Sequence, residues 1–329
     1  MRAAAIFGLG CSPNSLKPFQ DAESSENDWR IGLPATHDEA DAILLFGGDG
    51  TIHRHLGPLV KLGLPVLIVP TGSGNDFARA LGLRSLRDSL AAWRGYRAHG
   101  SNLRRVDLGL ITPLQRMPEA TVAREAAAAH GPARNSAPST RYFCSVAGVG
   151  LDAEVARRAN ALPRWLRGHG GYALSLAPAM FQFAAFPMKV FTPAQGVPGD
   201  VPKKDQPTIL AAFANTSTYG GGMKIAPRAK PDDGLLDVCV VGAIDPFKLA
   251  CLFPTIYFGR HLSAREVDYF SAAHLRVETE HPLDVYADGE YVCRTPVEVS
   301  VQQGALQVIC PASKSDSWKG SSRSRGDLS

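Results

Sequence analysis

Three short apolar runs punctuate the first hundred residues: Ala3 to Phe7, Ala42 to Phe46 and Val66 to Val69. Each ends in glycines or in a proline and a turn, the punctuation of strands buried in a parallel sheet. Helices are expected to follow at His53 to Leu62 and Asn75 to Leu81, which makes residues 1–102 an α/β domain. From Leu103 the texture changes to short strands at Val106 to Ile111, Tyr142 to Val146, Val190 to Thr192, Ile209 to Asn215, Leu236 to Val241, Leu275 to Glu278, Leu283 to Tyr286, Val297 to Val301 and Leu306 to Cys310. Strands parted by Gly, Pro and Asp predict an antiparallel sandwich or barrel over residues 103–312. Two helices interrupt it, near Asp152 to Asn160 and Pro246 to Phe258. Residues 113–140, rich in Pro, Ala and Ser without a steady period, read as a mobile insertion. The Ser-, Lys-, Arg- and Gly-rich stretch 313–329 reads as a disordered tail.

Composition narrows the class without naming it. At 329 residues, 45% hydrophobic and 20% charged, the chain is an ordinary globular protein with a substantial core. A net charge of +4 is too mild to argue for a nucleic-acid partner. No apolar run reaches the ~20 residues of a membrane span, and Met1 to Gly10 lacks the layout of a signal peptide, so a cytoplasmic protein is expected. The six cysteines show no CxxC pair and no metal-ligand spacing. They are expected to be reduced and mostly buried.

The chemistry concentrates at two turns. Ala42 to Phe46 runs into Gly47-Gly48-Asp49-Gly50-Thr51, a strand, a glycine turn and the start of a helix. Glycines admit positive φ and let phosphate oxygens approach main-chain N–H groups with no Cβ in the way. A tight turn without a ligand is the ordinary alternative for such glycines. The next strand ends in Pro70-Thr71-Gly72-Ser73-Gly74-Asn75-Asp76-Phe77-Ala78. Successive strand ends of a parallel sheet open on one edge, so both turns are expected to line one crevice.

Together these two motifs resemble the diacylglycerol kinase catalytic domain shared by bacterial diacylglycerol and other lipid kinases, sphingosine kinases and ceramide kinases. The first turn alone also occurs in NAD kinases and phosphofructokinases; the second is specific to lipid kinases. The resemblance continues through Phe143 to Ala153, Ala214-Asn215 with Gly220-Gly221-Gly222, Ala226-Pro227 with Asp232 to Asp237, and Asp288-Gly289-Glu290. It implies a nucleotide-binding α/β domain followed by a β-sandwich domain, with the active site in the cleft between them.

The resemblance also implies roles. Gly47, Gly48, Asp49, Gly50, Thr51, Ile52 and His53 match the family's ATP-contacting turn, Ser73 a hydroxyl that touches the nucleotide, and Thr36 an upstream threonine contact. Glu290 matches the carboxylate taken as general base, and Asp49 is the candidate for orienting the catalytic Mg²⁺ or its waters. Asp233, with main-chain carbonyls of Lys230 and Leu235, matches a structural Mg²⁺ site. Read from the residues alone, Asp288-Gly289 is a hairpin turn and Asp232-Asp233-Gly234 a solvated one.

The implied activity is ATP-dependent phosphorylation of a lipid hydroxyl, with diacylglycerol converted to phosphatidic acid as the default. A sphingoid base or another lipid alcohol, NAD kinase activity and a catalytically weak nucleotide- or lipid-binding regulator are the alternatives. The implied partners are a lipid substrate at the inner face of the membrane, reached peripherally without a spanning helix, and the reading admits a homodimer. Leu174 to Phe186 is a candidate acyl groove, membrane contact or buried helix, and Arg157, Arg158, Arg164 and Arg167 are candidates for anionic headgroups.

Two departures from the family pattern stand out. The usual Asn-Pro-x-Ser-Gly loop is replaced by Gly8-Leu9-Gly10-Cys11-Ser12-Pro13-Asn14, with a strand and helix after it trimmed. Thr51 is followed by Ile52-His53-Arg54 where the family has a hydrophobic residue, Asn and Glu; His53 and Arg54 supply donors to phosphate or face solvent.

Overall fold

The computed structural model describes residues 1–21, 28–114, 140–161, 178–193 and 202–311. The tail expected at 313–329, all but the ends of the insertion expected at 113–140, Arg164, Arg167 and Leu174 to Ala177 lie outside them. The chain divides into two units, residues 1–107 with 303–329, and residues 108–302.

In the first unit, β1 (Arg2–Phe7), β2 (Asp28–Ile31), β3 (Ala42–Gly47) and β4 (Val66–Pro70) form a parallel sheet in the order β4-β3-β1-β2. Every residue of β3 is buried, which is why it reads as an unbroken apolar run. In the segment expected to be trimmed, the described residues form α1 (Lys17–Asp21) and the four-residue β2. The helix α2 (Asp49–Leu62) starts four residues before the expected His53, because Gly48 caps it and Asp49 to Thr51 form its first turn. After α3 (Asp76–Ala80) comes α4 (Leu86–His99), a helix absent from the sequence reading. Its signals are present: the Ser85 hydroxyl accepts from the Asp88 N–H at 3.3 Å and donates to the Asp88 carboxylate at 2.9 Å, and Gly100 at φ 63° closes the helix.

The second unit is antiparallel. It begins within β5 (Leu103–Pro113) and continues through β6 (Arg141–Phe143), β7 (Val146–Gly150), α5 (Leu151–Ala161), β8 (Phe186–Phe191), β9 (Pro202–Ala214) and β10 (Leu236–Gly242). After a helix at Pro246–Leu252 follow β11 (Val267–Ala272), β12 (His274–Thr279), β13 (Asp284–Ala287), β14 (Glu290–Arg294) and β15 (Val297–Ile309). The strand β9 pairs with β7, β8 and β10 along its length, and β13 pairs with β7 and β14. Alternate residues enter two cores. Ala211, Phe213, Val238 and Val240 join one, and Ala212, Ala214, Cys239 and Val241 the other, so these strands are apolar on both faces.

Several expected elements are drawn differently. The run Tyr142 to Val146 breaks into β6 and β7 at Cys144-Ser145, and Val297 to Val301 with Leu306 to Cys310 is one continuous strand, β15. The helix expected over Pro246 to Phe258 tightens into a 3-10 turn at Phe253–Phe258, where Pro254 has no N–H to continue the α ladder. The end of β15 returns to the first unit, pairing Val308 with Val66 of β4 in parallel. The Asn102 side-chain amide holds that return, donating to the carbonyls of Ala92 and Cys310 at 2.8 Å each. None of the six cysteines is in a disulfide; Cys144, Cys239 and Cys310 are buried and Cys251 is exposed. Burial pushes the Cys239 thiol up to about 12, so it is inert.

Candidate active site

Register places the two glycine turns side by side, because Gly47 at the end of β3 pairs with Pro70 at the end of β4. The Gly48 carbonyl accepts from Thr51 at 2.9 Å and Ile52 at 3.1 Å, starting α2 directly at the turn. The positive end of this fourteen-residue helix therefore faces whatever occupies the turn, a geometry suited to anions. The Thr51 side chain fills the space a Cβ on Gly47 would need, 2.5 Å from its own Cβ, and it blocks a Cβ on Gly8 in the same way. The first loop thus keeps glycine where Thr51 requires it, and the Gly8 N–H donates to the Phe46 carbonyl at 2.7 Å.

The second turn presses against the first. A Cβ on Gly72 would lie 2.6 Å from the Cα of Gly48, and one on Gly74 would lie 2.9 Å from the Asp49 carboxylate. The Thr71 N–H donates to the Gly47 carbonyl at 3.1 Å. Asn75, at φ 55°, folds its amide back onto Gly72, accepting from its N–H at 3.0 Å and donating to its carbonyl. The Asp49 carboxylate bridges the turns: one oxygen accepts from the Asp76 N–H at 3.1 Å, the other from the Phe77 N–H at 3.2 Å. It caps α3, whose own cap residue Asn75 makes no such bond. The first loop joins through Cys11, whose Sγ lies 3.0 Å from the Thr71 hydroxyl.

The remaining first-unit candidates divide. Ser73 is exposed in the second turn. The Ile52 side chain is 1% exposed and belongs to the core, and its N–H is engaged by Gly48, so it offers a ligand neither. His53 is half-buried on α2, while Arg54 folds back so that its Nε donates to the Gly50 carbonyl at 2.8 Å. Thr36 is exposed beyond the end of β2, before the 3-10 turn His37–Glu39.

In the second unit, Asp288-Gly289 is the hairpin turn between β13 and β14, with φ of 51° and 83° at the two positions. It is more than a connection. The Asp288 carboxylate accepts from the Cys144 N–H at 2.9 Å and the Ser145 N–H at 2.8 Å, and the Asn160 side chain of α5 donates to the Gly289 carbonyl at 2.7 Å. Glu290, half-buried, therefore begins β14 on a turn held from both sides.

Comparison with known proteins gives the family. Residues 20–111 match the family model of the diacylglycerol kinase catalytic domain, and residues 145–310 that of the YegS C-terminal NAD kinase beta sandwich-like domain. A Mycobacterium tuberculosis protein named diacylglycerol kinase is 31% identical over 278 residues, covering 82% of this chain and 77% of that protein. The chain belongs to the diacylglycerol kinase family. A Chromohalobacter salexigens protein called probable lipid kinase YegS-like is 26% identical over 286 residues, 86% of this chain and 80% of its own. A crystal structure of a diacylglycerol kinase from Bacillus anthracis has the same fold, with a TM-score of 0.58 at 18% identity over 94% of this chain and 96% of that one. The α/β unit and the β-sandwich expected from the sequence are thus the architecture of a lipid kinase family.

Within that family setting, the Asp233 segment has oxygen donors of the kind a hard cation takes. Asp233 is exposed, and its Oδ1 accepts from the Leu235 N–H at 3.1 Å, which curls the main chain of Leu235 beside the carboxylate. Lys230 is exposed three residues before it. Among the described residues no three His, Cys, Asp or Glu side chains cluster for a metal, so a cation here would depend on Asp233 and main-chain oxygens. The residues present fit Mg²⁺ in kind.

Sequence reasoning missed two residues of an apolar pocket in the second unit. The pocket is narrow, with about 70 Å³ of interior space. Its wall includes Val155, Met180, Leu210, Leu252 and Phe253, together with buried Asp152 and His261. The Asp152 carboxylate sits over Gly148, where it leaves no room for a Cβ. The His261 Nε2–H donates to the Ile225 carbonyl at 3.1 Å, while its buried Nδ1 has no partner. Burial holds the His261 pKa below its ordinary value, against the pull of that bond. Gly148 to Asp152 carried a signal in its glycine-carboxylate pattern; His261 carried none. Of the candidate groove Leu174 to Phe186, Met180 lines the pocket and Phe181 is exposed.

Proposed function

We propose that this protein transfers the γ-phosphate of ATP to the hydroxyl of diacylglycerol, forming phosphatidic acid. The observation that carries the nucleotide half is the approach of Gly48 and Gly72, which makes one side-chain-free surface of two strand ends at the head of α2. Main-chain N–H groups of Gly47, Gly48 and Gly50 hold phosphate oxygens there, with the Ser73 hydroxyl beside them; Thr51 and Asp49 act by shaping the turn and fastening it to α3. Mg²⁺ bound with the nucleotide would offset phosphate charge during transfer, and the Asp49 carboxylate, beyond its bonds to the Asp76 and Phe77 N–H groups, would orient the ion's waters. A second Mg²⁺ at Asp233, Lys230 and Leu235 is structural in this reading.

Glu290 takes the proton of the acceptor hydroxyl as that oxygen attacks phosphorus in line and ADP departs. The rigid mounting of the Asp288-Gly289 turn supports this role, since a base must be held within hydrogen-bond reach of its proton. The apolar lining of the pocket beside Asp152 suits part of an acyl chain. The protein works at the inner membrane face as a peripheral enzyme; among the described residues no helix is long and apolar enough to cross a membrane.

The test is a panel of acceptors. Purified protein is given labelled ATP, Mg²⁺ and mixed micelles containing diacylglycerol, monoacylglycerol or a sphingoid base, with NAD in a parallel reaction. Label in phosphatidic acid is the expected result. Label only in a sphingoid phosphate overturns the acceptor assignment, and label in NADP overturns the lipid reading.

A further inference from the structure

Between Pro246 and Arg265 the chain has no acidic residue and three basic ones, Lys248, Arg260 and Arg265. The same stretch has two faces. Leu249, Leu252, Phe253 and Ile256 line the apolar pocket, whereas Phe247 and Phe258 stand 74% exposed and Tyr257 42% exposed on the outside. Phe181, 55% exposed, meets Phe247 edge-on at 5.8 Å and widens the patch. Phenylalanines left this far in water are not required by packing, because the segment's inward face already covers the sheet.

The rim carries both signs: exposed Asp245 accepts from the Phe247 and Lys248 N–H groups at 2.9 and 3.2 Å, and two cations stand without a carboxylate among the described residues. The Lys224 N–H donates to the Ile256 carbonyl, which fixes exposed Lys224 beside the segment, and Arg260 follows Phe258 by two residues. Neither has an ion-pair partner among the described residues, while Lys248 and Arg265 share Glu266 at 2.6 and 2.8 Å. Aromatic rings ringed by unmatched cations suit the interface of an anionic bilayer, where rings settle at headgroup depth and cations meet lipid phosphates. A second copy of the chain fits less well, since a two-fold contact would set Arg260 and Lys224 against their own equivalents.

We infer that Phe181, Phe247 and Phe258, with Lys224 and Arg260, form the surface by which this protein seats on an anionic membrane, directly over the apolar pocket. This rests on the lipid-kinase reading for its purpose, but its test does not need catalysis. Docking there lets an acyl chain pass from the bilayer to the pocket along Leu252 and Phe253 without crossing water.

Vesicle co-sedimentation, without ATP or acceptor lipid, decides it. Wild-type protein is expected to sediment with phosphatidylcholine vesicles containing phosphatidylglycerol and much less with phosphatidylcholine alone. Phe247→Ser/Phe258→Ser and, separately, Arg260→Glu should each weaken that binding by roughly tenfold or more. Both should keep the wild-type thermal unfolding midpoint, which shows that they fold. Binding by both variants at wild-type strength, absent binding by the wild type, or a loss of self-association in sizing experiments with vesicle binding intact overturns the inference. Failure of the lipid-kinase reading appears instead as absent lipid labelling in micelles, with vesicle binding unaffected.

Discussion

Gly48 and Gly72 meet backbone to backbone: a single methyl group added to Gly72 would stand 2.6 Å from the Gly48 Cα. Neither partner is the end of a flexible side chain, so one turn must move. Gly72→Ala is expected to cost about 1–3 kcal/mol as an overpacking change, expressed as a lower melting temperature and at least roughly tenfold weaker ATP binding. Calorimetric titration with ATP checks it, and undiminished affinity would show that the approach of the turns is unrelated to the nucleotide.

Asp49 ties the same turns by charge. Its carboxylate accepts from the Asp76 and Phe77 N–H groups, and Asp49→Ala leaves both donors without it. A loss of about 1–3 kcal/mol in stability is expected, smaller for Asp49→Asn, which retains an acceptor. Denaturant unfolding of the two variants measures it. Equal stability of Asp49→Ala and wild type would remove Asp49 from the structural role described above.

These local features were open to sequence reading because each lies within a few residues of the glycines that announce it. The runs forming β3 and β4 are apolar throughout and end in turns, so the α/β unit and its glycine edge could be read directly. The helix α4 is marked in the sequence by its ends, Ser85 with Asp88 and Gly100, and by no apolar run. The return of β15 to β4 was not legible at all: Val308 and Val66 are paired by the fold, and nothing near either residue specifies the other. Glu290 came only from family resemblance; by its own residues Asp288-Gly289 reads as a hairpin, and it is one. Asp152 and His261 converge from separate elements, a juxtaposition no local pattern encodes.

Asp288 and Glu290 are two residues apart with separable tasks. Asp288→Ala strands the Cys144 and Ser145 N–H groups and is expected to destabilise the protein by about 2–3 kcal/mol. Glu290→Gln should leave unfolding unchanged. Thermal denaturation of the pair tests this, and a larger loss in Glu290→Gln would make Glu290 a structural residue.

His261 gives the fold a pH dependence. Its folded pKa lies below the ordinary 6.5, so the unfolded chain binds the proton more readily. Stability is complete above about 6.5 and declines as pH falls below it toward the folded value. Unfolding midpoints measured across this range should fall with acidity in wild type and fall less in His261→Gln. Parallel curves for the two would mean that His261 is not the group responsible.

The most direct measurement is transfer of labelled γ-phosphate from ATP to micellar diacylglycerol, compared between wild type and Glu290→Gln, with ATP affinity determined for both. Wild type is expected to label phosphatidic acid, and the variant to retain ATP binding while its turnover falls by about 10²–10⁴. Equal turnover by the two proteins, or no lipid labelling by a wild type that binds ATP, would contradict the account.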